Sequence, residues 1–390
     1  MTKTASETNK PLKVTLISHS DVLGGAGMVT FRLMHALRNE GVDARMVVYA
    51  KLSDDENVSL ISSRFTRGIK FLWERLGIFM RNGMRREHLF KVSTASTGTD
   101  VSKHPWVKDA DVVVMGWVNQ GLMSFKSVKR LLKLDKPVVW TLHDMWNLTG
   151  ICHHAYECRG FRRECGNCQF LSGTRAKDLS HKVWRKKKKL YESADITFVP
   201  VSHWLESKCR ESSLMKGCDI RVIPNPFPAE YFTPEVKVTP QRLYHFDARQ
   251  YRIVICSARL DDPIKGLSYT VDALNYIFDN HPEIASEITA VFIGSLRNPA
   301  ALDSLRINHI RLGMVNDNQL LREIYASSHI VLSSSLYETL PGTLIEGQAS
   351  GCIPVCFGRG GQDDIVEHGK TGYIAEYKDP VSLAQCIIQA

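Results

Sequence analysis

Residues 336–364 read LYETLPGTLIEGQASGCIPVCFGRGGQDD and closely follow the apolar segment 329–332. The apolar segment predicts a buried strand, and Pro341 suits the first turn of a helix because its missing N–H would be unpaired there. A further strand is predicted at 353–355, and alternation of strands with helices favours a parallel sheet. We therefore expect a helix to begin near Pro341 and to lie between two strands of one sheet.

The beginning of this predicted helix is a candidate anion site. Backbone N–H groups at a helix N-terminus stabilise negative charge, and Gly342, followed by Thr343, has no side chain to block a ligand. Glu338 would lie in the loop facing this site. Glu346, with seven residues between it and Glu338, would lie inside the helix, where its carboxylate could accept two hydrogen bonds from a ribose diol. The spacing alone also fits an ordinary loop glutamate and a solvated helix glutamate.

The same alternation of strands and helices continues through the whole chain. In the first part, strands are predicted at 13–18, 44–49, 112–115, 138–142 and 196–199. In the second part, they are predicted at 252–257, 290–293, 310–312, 330–332 and 353–355. Between the two series, IPNPFP at 223–228 places three prolines in six residues.

We therefore predict an α/β protein of two Rossmann-like, doubly wound parallel-sheet domains, at 1–222 and 231–390, with an interdomain linker at 223–230. Ligands of such folds bind at the carboxyl ends of the strands, which in a tandem pair means the cleft between the domains. At 390 residues the chain is long enough for two to three domains of roughly 150 residues each.

Composition narrows the class of protein. Hydrophobic residues make up 44% of the chain and charged residues 23%, as in ordinary globular proteins. No run approaches the roughly 20 apolar residues that span a bilayer, and the polar segment 1–10 lacks a signal-peptide core. We therefore expect a cytoplasmic protein, in which the ten cysteines are thiols or metal ligands rather than a disulfide framework.

Further motifs carry a family resemblance. They are GGAG at 24–27, LHDMW at 142–146, IPNPF at 223–227, SARLDDPIKGL at 257–267 and VFIGS at 291–295. In this order, and together with the two spaced glutamates, they resemble the retaining glycosyltransferases of family 4, which have the two-Rossmann-domain GT-B fold. The resemblance implies transfer of a hexosyl or N-acetylhexosaminyl group from a UDP- or GDP-sugar. The implied acceptor is a lipid-linked saccharide in capsule, exopolysaccharide or O-antigen biosynthesis.

The resemblance also implies how the leaving diphosphate is held. Arg259 and Lys265 flank the turn DDPIKG after a predicted strand, and the matching family residues bind the diphosphate. Fixed positive groups stabilise charge that develops on a leaving oxygen, so no catalytic metal is expected. Gly25 and Gly27 would supply backbone N–H groups from the other domain. Without the resemblance, the two cations would be surface residues, and GGAG, which is not a full GxGxxG pattern, would be a tight turn.

His143 and Glu338 are the remaining candidate catalytic residues. His143 directly follows the predicted strand VVWTL, and the matching family residue contacts the donor sugar. A histidine beside a core strand can equally be a structural hydrogen-bonding group. Asp144 could orient His143 or contact the acceptor. No nucleophile is evident, which fits the family expectation of front-face attack assisted by the leaving phosphate.

The insert CHHAYECRGFRRECGNC at 152–168 holds four closely spaced cysteines: Cys152, Cys158, Cys165 and Cys168. Four thiols can form a closed tetrahedral zinc site, which would stabilise a loop too short to have a core of its own. Similar loops occur in a subset of family 4 enzymes for capsule and exopolysaccharide synthesis. Free or redox-active thiols are the alternative, and His153 and His154 are reserve ligands.

The net charge of +9 is unevenly distributed. Residues 64–91 contain eight Lys or Arg against two acidic residues, interleaved with aromatic and aliphatic residues, and residues 182–189 add six cations. This composition is typical of an amphipathic helix at an anionic membrane surface, here the inner face of the cytoplasmic membrane. An ordinary domain helix with a solvated basic face has the same composition.

Rival functions follow from the same features. A nucleic-acid-binding protein would explain the basic stretches, but no recognised binding module accompanies them, and no nucleic-acid partner is expected. A sugar-nucleotide epimerase of similar architecture and a non-catalytic sugar-nucleotide-binding protein remain open. The chain ends at Ala390 inside a helix predicted to start near Val381, whereas family members continue through a closing helix. We therefore expect a chain truncated in its last helix.

Overall fold

The computed structural model of the protein describes residues 10–62, 64–173, 175–232 and 250–390. The predictions made for residues 1–9, and the part of the predicted second domain at 233–249, lie outside this description. The chain divides into two compact units. The first runs to Val201 and includes Leu205–Pro226, and the second comprises Ser202–Trp204 and Phe227–Ala390.

The first unit contains a parallel sheet, in which the described residues form seven strands. They are β1 Lys13–Ser20, β2 Asp43–Ala50, β3 Val58–Leu60, β4 Val112–Met115, β5 Val138–Leu142, β6 Thr197–Pro200 and β7 Asp219–Ile220. The spatial order is β3-β2-β1-β4-β5-β6-β7. The order reverses between β1 and β4, and a reversal of this kind is where doubly wound sheets bind their ligands.

Helices connect these strands. They are α1 Gly24–Asn39, α2 Arg64–Arg81, α3 Pro105–Asp109, α4 Phe125–Leu132, α5 Leu179–Tyr191 and α6 His203–Glu211. Side-chain caps fix several helix starts: Ser124 Oγ accepts the backbone N–H of Ser127 at the beginning of α4, and Asp178 accepts that of His181 at the beginning of α5. Such caps satisfy backbone donors that have no partner within the helix.

The second unit has the same plan. Its described strands are β8 Tyr251–Arg259, β9 Ile288–Ser295, β10 Asn308–Gly313, β11 Ile330–Ser333, β12 Ile353–Phe357 and β13 Tyr373–Ala375. They form a parallel sheet in the order β10-β9-β8-β11-β12-β13. The helices are α7 Leu267–Asn280, α8 Pro282–Glu287, α9 Asn318–Ala326, α10 Gly342–Ala349 and α11 Pro380–Gln389.

Both faces of the second sheet are covered. Ile253 and Ile255 of β8 belong to one apolar cluster, whereas Val254 between them belongs to another. Successive side chains of a strand point to opposite faces, so burial of all three requires helices on both sides of the sheet. This is why the strands appear in the sequence as continuous apolar runs rather than as alternating patterns.

The predicted fold class is confirmed: the chain has two doubly wound, parallel-sheet domains. The predicted strands are present, but the sequence patterns missed β3, β7 and β13, which have only two or three residues and lie at sheet edges. Pro341 precedes α10 as its N-cap, one residue before the first helical residue Gly342.

Candidate functional site

In the second unit, the order of the strands reverses between β8 and β11. These strands pair in parallel, with Ile330 opposite Ile253, so their carboxyl ends lie side by side. Lys265 follows β8 and Glu338 follows β11, and Lys265 Nζ lies 2.5 Å from Glu338 Oε1. The fold therefore joins two residues that are 73 positions apart, at the edge where ligands of doubly wound sheets bind.

Backbone contacts fix the loop that carries Lys265. The N–H of Leu336 donates to the carbonyl oxygen of Ile264 at 2.8 Å, and Ser334 Oγ lies 3.0 Å from the carbonyl oxygen of Lys265. Gly266 has φ 66°, and a Cβ at this position would lie 2.1 Å from the carbonyl oxygen of Ser334. Glycine is therefore required, both for the left-handed backbone and for the close approach of the two loops.

The charge on Lys265 is stabilised in place. Burial lowers the pKa of Lys265, but the neighbouring carboxylates of Glu338 and Asp262 outweigh burial and leave that pKa above its usual value. The side chain remains 32% exposed, so an incoming anion can reach the ammonium group. Lys265 is thus a fixed positive charge at neutral pH, with Glu338 as its counter-ion.

Arg259, at the end of β8, is held by its own turn. Its Nη2 lies 2.6 Å from Asp262 Oδ2, and its Nε faces Asp261 Oδ1 at 3.8 Å. The other oxygen of Asp261 accepts the backbone N–H groups of Arg297 and Asn298. The structure therefore places Arg259 and Lys265 on one loop, as the sequence predicts, but pairs each with a different carboxylate.

A glycine-rich loop holds the backbone of Glu338. The N–H of Gly361 donates to the carbonyl oxygen of Glu338 at 2.9 Å, and a Cβ at Gly360 would lie 2.4 Å from the same oxygen. A Cβ at Gly361 would lie 1.9 Å from the carbonyl oxygen of Thr339. The GRGG segment at 358–361 has no assigned role among the sequence predictions. Paired glycines of this kind nevertheless indicate a close backbone approach.

The beginning of α10 lies in the same unit. Gly342 and Thr343 form its first turn, and Glu346 lies on the third position beyond Thr343 with only 7% of its surface exposed. Burial contradicts the alternative of a solvated helix glutamate. A Cβ at Gly342 would lie 3.3 Å from the ring of Phe227, so this glycine makes room for the aromatic ring of the IPNPF motif as well.

In the first unit, the GGAG segment is helical. Gly24–Gly27 form the first turn of α1 rather than a tight turn before it. A Cβ at Gly27 would lie 2.8 Å from the carbonyl oxygen of Ser20, whereas a Cβ at Gly25 would meet nothing within 4 Å. Gly27 therefore allows α1 to pack against the end of β1, and the position of Gly25 is open.

His143 follows β5 and lies half-buried beside the end of β4. A Cβ at Gly116, directly after β4, would lie 3.7 Å from His143 Nε2 and 2.8 Å from Thr30 Oγ1 of α1. Burial lowers the pKa of His143 to about 4, although Asp144 acts in the opposite direction. The imidazole is therefore neutral at pH 7 and can donate one hydrogen bond and accept another.

Asp144 is the centre of a buried hydrogen-bond network. Its Oδ2 accepts hydrogen bonds from Trp117 Nε1 and His153 Nδ1, and its Oδ1 accepts the backbone N–H of Trp146, each at 2.7 Å. Burial raises the pKa of Asp144, but His153 and the other donors outweigh it and hold the pKa at about 2. Asp144 is therefore a permanent carboxylate.

His153 uses both ring nitrogens within the protein. An ionised carboxylate can only accept hydrogen bonds, so His153 Nδ1 carries the proton and donates its N–H to Asp144. His153 Nε2 lies 3.0 Å from Ser93 Oγ. The sequence interpretation kept His153 as a reserve metal ligand, but neither nitrogen is available for a metal in this arrangement. Its role is instead to position Asp144.

Lys187 of α5 also anchors this region, although its place in a lysine run predicts a solvated residue. Its side chain is fully buried, and Nζ donates to the carbonyl oxygens of Trp146 and Thr149, the latter at 3.0 Å. Nζ also lies 3.4 Å from the centre of the Trp146 ring. Lys187 therefore ties α5 to the loop that follows the LHDMW motif.

The four cysteines of the insert line one cavity of about 20 Å³. Backbone N–H groups point at three of the sulfur atoms: Gly160 donates to Cys158 Sγ at 3.4 Å, Gly150 to Cys165 Sγ at 3.2 Å, and Phe170 to Cys168. Among the residues that the structure describes, no three His, Cys, Asp or Glu side chains are grouped as a formed metal site. Burial raises the pKa of Cys165 to about 11 and that of Cys168 to about 12, which argues against reactive redox thiols.

Comparison with known proteins identifies the class and the family. The chain is a two-domain protein of the GT-B class. The sequence model of Glycosyltransferase Family 4 matches residues 23–231, more than half of the chain, and that of Glycosyl transferases group 1 matches residues 251–390. The chain belongs to Glycosyltransferase Family 4.

Two curated relatives match part of the chain. Spore coat protein SA of Bacillus subtilis (strain 168) is 28% identical over 149 residues, which are 35% of this chain and 38% of the relative. The putative colanic acid biosynthesis glycosyl transferase WcaC of Escherichia coli (strain K12) is 28% identical over 106 residues, 26% of this chain and 25% of the relative. The matches thus span well under half the length of these relatives.

Solved structures share the fold over most of the chain. Anabaena Alr3699/HepE in complex with UDP and glucose superposes with a TM-score of 0.60 at 15% identity, covering 97% of this chain and 89% of that one. WaaG, a glycosyltransferase involved in lipopolysaccharide biosynthesis, superposes with a TM-score of 0.61 at 12% identity, covering 96% and 90%. At these identities the likeness concerns the fold.

Proposed function

We propose that the protein is a retaining glycosyltransferase that transfers one sugar from a UDP- or GDP-sugar to a lipid-linked saccharide in capsule, exopolysaccharide or O-antigen biosynthesis. The observation that carries the proposal is the Lys265–Glu338 pair at the point where the strand order of the second unit reverses. The complexes of Anabaena HepE with UDP and with UDP-glucose support a nucleoside diphosphate as the ligand class.

The pair would act on the leaving group. When the bond between the sugar carbon and the diphosphate oxygen breaks, its electron pair stays on that oxygen, and the new negative charge needs a fixed positive partner. Lys265 supplies this charge, and Arg259 on the same loop adds a second cation once diphosphate competes with Asp262 for its guanidinium. Because Glu338 lies 2.5 Å from Lys265 Nζ, it would contact the sugar end of a donor bound there.

The remaining donor contacts follow from α10. The N–H groups at Gly342 and Thr343 would bind phosphate oxygens, and the buried carboxylate of Glu346 would accept hydrogen bonds from the ribose hydroxyls. The acceptor oxygen would form its bond to the sugar carbon on the face that the diphosphate leaves. Its proton would pass to the leaving phosphate oxygen, so the configuration is retained without an enzyme nucleophile.

In the first unit, His143 and Gly25 are proposed as further ligand-contacting residues. His143, neutral and beside the open end of β4, would hydrogen-bond a sugar hydroxyl, and Asp144 holds the loop in place through His153. Gly25, where the structure leaves open space, would allow close approach of a ligand to the first turn of α1, while Gly27 serves packing.

We also propose that Cys152, Cys158, Cys165 and Cys168 hold a structural zinc ion. The shared cavity and the N–H groups directed at three sulfur atoms support this, because such donors stabilise the negative charge of thiolate ligands. Binding zinc would require the four sulfur atoms to draw together and to lose their protons. The ion would stabilise the loop that carries His153, and it takes no part in the transfer step.

A single assay separates the proposed transferase from its alternatives. The full chain is incubated with radiolabelled UDP- and GDP-sugars and a bacterial lipid extract. Transfer of label into the lipid phase supports the glycosyltransferase. Conversion of one nucleotide sugar into another would indicate an epimerase, and binding without either reaction would indicate a non-catalytic sugar-nucleotide-binding protein. Each of the last two results overturns the proposed reaction.

A further inference from the structure

Helix α2 presents apolar side chains to solvent and buries charged ones. Its exposed residues form one stripe, here called the α2 face: Ile69, Leu72, Trp73, Leu76 and Met80, with exposures of 41, 65, 62, 42 and 58%. These positions recur at intervals of three and four residues, so they share one side of the helix. Glu74 and Arg75 lie buried on the opposite side. An ordinary surface helix has the reverse arrangement.

Buried hydrogen bonds fix the helix in this orientation. Glu74 Oε1 accepts the backbone N–H groups of Thr94 and Ala95, both at 2.9 Å. Arg75 Nη1 donates to the carbonyl oxygens of Leu89 and Val92. Turning the helix to bury the α2 face would break these bonds and leave buried charges without partners, which is strongly unfavourable. The apolar stripe is therefore a fixed feature of the surface.

The segment that follows the helix also exposes apolar residues and cations. Met84 is 66% exposed and Phe90 62%. The exposed cations of this segment are Arg81, Arg85, Arg86 and Lys91. Ile78 of α2 and Val183 of α5 pack in one buried cluster, so the two helices flank the same core. The exposed cations of α5 are Lys182, Arg185, Lys186, Lys188 and Lys189.

These observations refine the sequence prediction for this region. The sequence grouped Ile78 with the membrane-facing apolar residues, but Ile78 is only 1% exposed and belongs to the core. Lys187, grouped with the basic run, is buried as well. What remains on the surface is narrower: an apolar stripe on α2, exposed cations in the segment that follows it, and exposed cations on α5, which packs on the same core.

We propose that the α2 face docks on the surface of an anionic lipid bilayer. Apolar side chains at this spacing insert into the boundary between headgroups and acyl chains, and the surrounding Lys and Arg residues bind anionic headgroups. The positive charge of this surface favours an anionic bilayer over a second copy of the chain, because two copies would bring one basic surface against another. Nowhere in the described residues is there a helix long and apolar enough to cross the bilayer, so the contact is interfacial.

Vesicle flotation of the full chain tests the proposal. The probes are phosphatidylcholine vesicles with and without phosphatidylglycerol. We expect flotation only with the anionic vesicles, and weaker flotation as salt is raised. The variant Leu72→Gln/Trp73→Gln should lose binding, whereas Phe278→Gln/Met314→Gln, which alters two exposed apolar residues of the second unit, should not. Both changes lie on exposed side chains, and an unchanged circular dichroism spectrum verifies folding.

A charge-reversal pair tests the electrostatic part. Arg81→Glu/Arg85→Glu/Arg86→Glu should lower vesicle affinity by about tenfold or more. Lys126→Glu/Lys129→Glu/Lys133→Glu changes the net charge equally, on exposed residues of α4 and the residue directly after it, and should bind nearly as wild type does. If both variants lost vesicle affinity equally, net charge alone would explain the loss, and the α2 face would be rejected as the docking surface. So would a concentration-dependent dimer, seen by sedimentation, that Leu72→Gln/Trp73→Gln dissociates.

Discussion

Lys265 Nζ lies 2.5 Å from Glu338 Oε1, where loops from two adjacent parallel strands meet. The pair is partly buried, and the loops on both sides are held by backbone hydrogen bonds and by glycines that admit no side chain. The positive charge is therefore in position before any ligand arrives, as electrostatic stabilisation of a leaving group requires. A ligand anion would share Lys265 with Glu338 or replace it.

Replacement of Glu338 should lower sugar transfer without lowering nucleoside diphosphate binding. Glu338→Ala leaves Lys265 in place without its counter-ion, so nucleoside diphosphate binding should persist or become tighter, while sugar transfer falls by more than about a hundredfold. Transfer rates and calorimetric titrations on the same preparations measure the two effects. Glu287→Ala, which alters an exposed glutamate at the end of α8, is the control and should change neither. Normal turnover of Glu338→Ala would remove this residue from the site.

Gly266 should be essential for the geometry of the site. Gly266→Ala introduces a Cβ at φ 66° that would lie 2.1 Å from the Ser334 carbonyl oxygen. Gly313 has nearly the same φ, 68°, but a Cβ there meets nothing within 4 Å. Gly313→Ala should therefore cost only the left-handed strain, about 1 kcal/mol, whereas Gly266→Ala should cost about 2–4 kcal/mol and weaken nucleotide binding. If urea unfolding showed the same loss of unfolding free energy in both variants, the close approach of Gly266 to the Ser334 carbonyl oxygen would be contradicted.

His143 should make the first unit sensitive to acid. Its pKa is about 4 in the folded protein and 6.5 in the unfolded chain, so below pH 6.5 the unfolded state takes up a proton that the folded state does not. The free energy of unfolding should fall by about 3 kcal/mol between pH 7 and pH 4. His143→Gln should flatten this slope. Urea unfolding at several pH values measures it, and an unchanged slope in the variant would show that the pKa of His143 is not lowered in the folded protein.

The cysteine cluster should contain zinc. Protein purified without chelator should carry about one zinc per chain by elemental analysis, since four thiolates make a closed tetrahedral site. Cys165→Ser/Cys168→Ser should lose the metal and lower the thermal midpoint. Cys209→Ser, which changes a buried cysteine outside the insert, should keep the zinc even where it lowers stability. Metal-free wild-type protein with an intact fold would reject the zinc site.

The strands and the repeated strand–helix pattern could be predicted because buried parallel strands are continuous apolar runs, and Ile253–Ile255 or Ala290–Ile293 stand out in the sequence. The short strands β3, β7 and β13 could not, because two or three residues carry no periodicity. Their existence depends on pairing with a neighbouring strand, which is a tertiary effect.

For a similar reason, only some features of the candidate site could be predicted from the sequence. Motifs gave Lys265 and Glu338, and the fold showed that they form a pair. No local pattern reveals that His153 binds Asp144, that Lys187 is buried within a lysine run, or that the charged side chains of α2 point inward. Each of these depends on partners distant in sequence. A charged residue in a sequence usually indicates a solvent-exposed side chain. Only its partners in the folded structure show that it is buried.

Calorimetric titration of the full chain with UDP and with GDP tests whether Lys265 binds a nucleoside diphosphate. At least one of the two nucleotides should bind the wild-type protein, and Lys265→Ala should weaken this binding by about tenfold or more, the effect of losing one charged contact. Lys370→Ala, which breaks the exposed Lys370–Glu367 pair, should leave it unchanged. If the folded wild-type chain binds neither nucleotide, or if Lys265→Ala binds as the wild type does, Lys265 is not part of a nucleotide site.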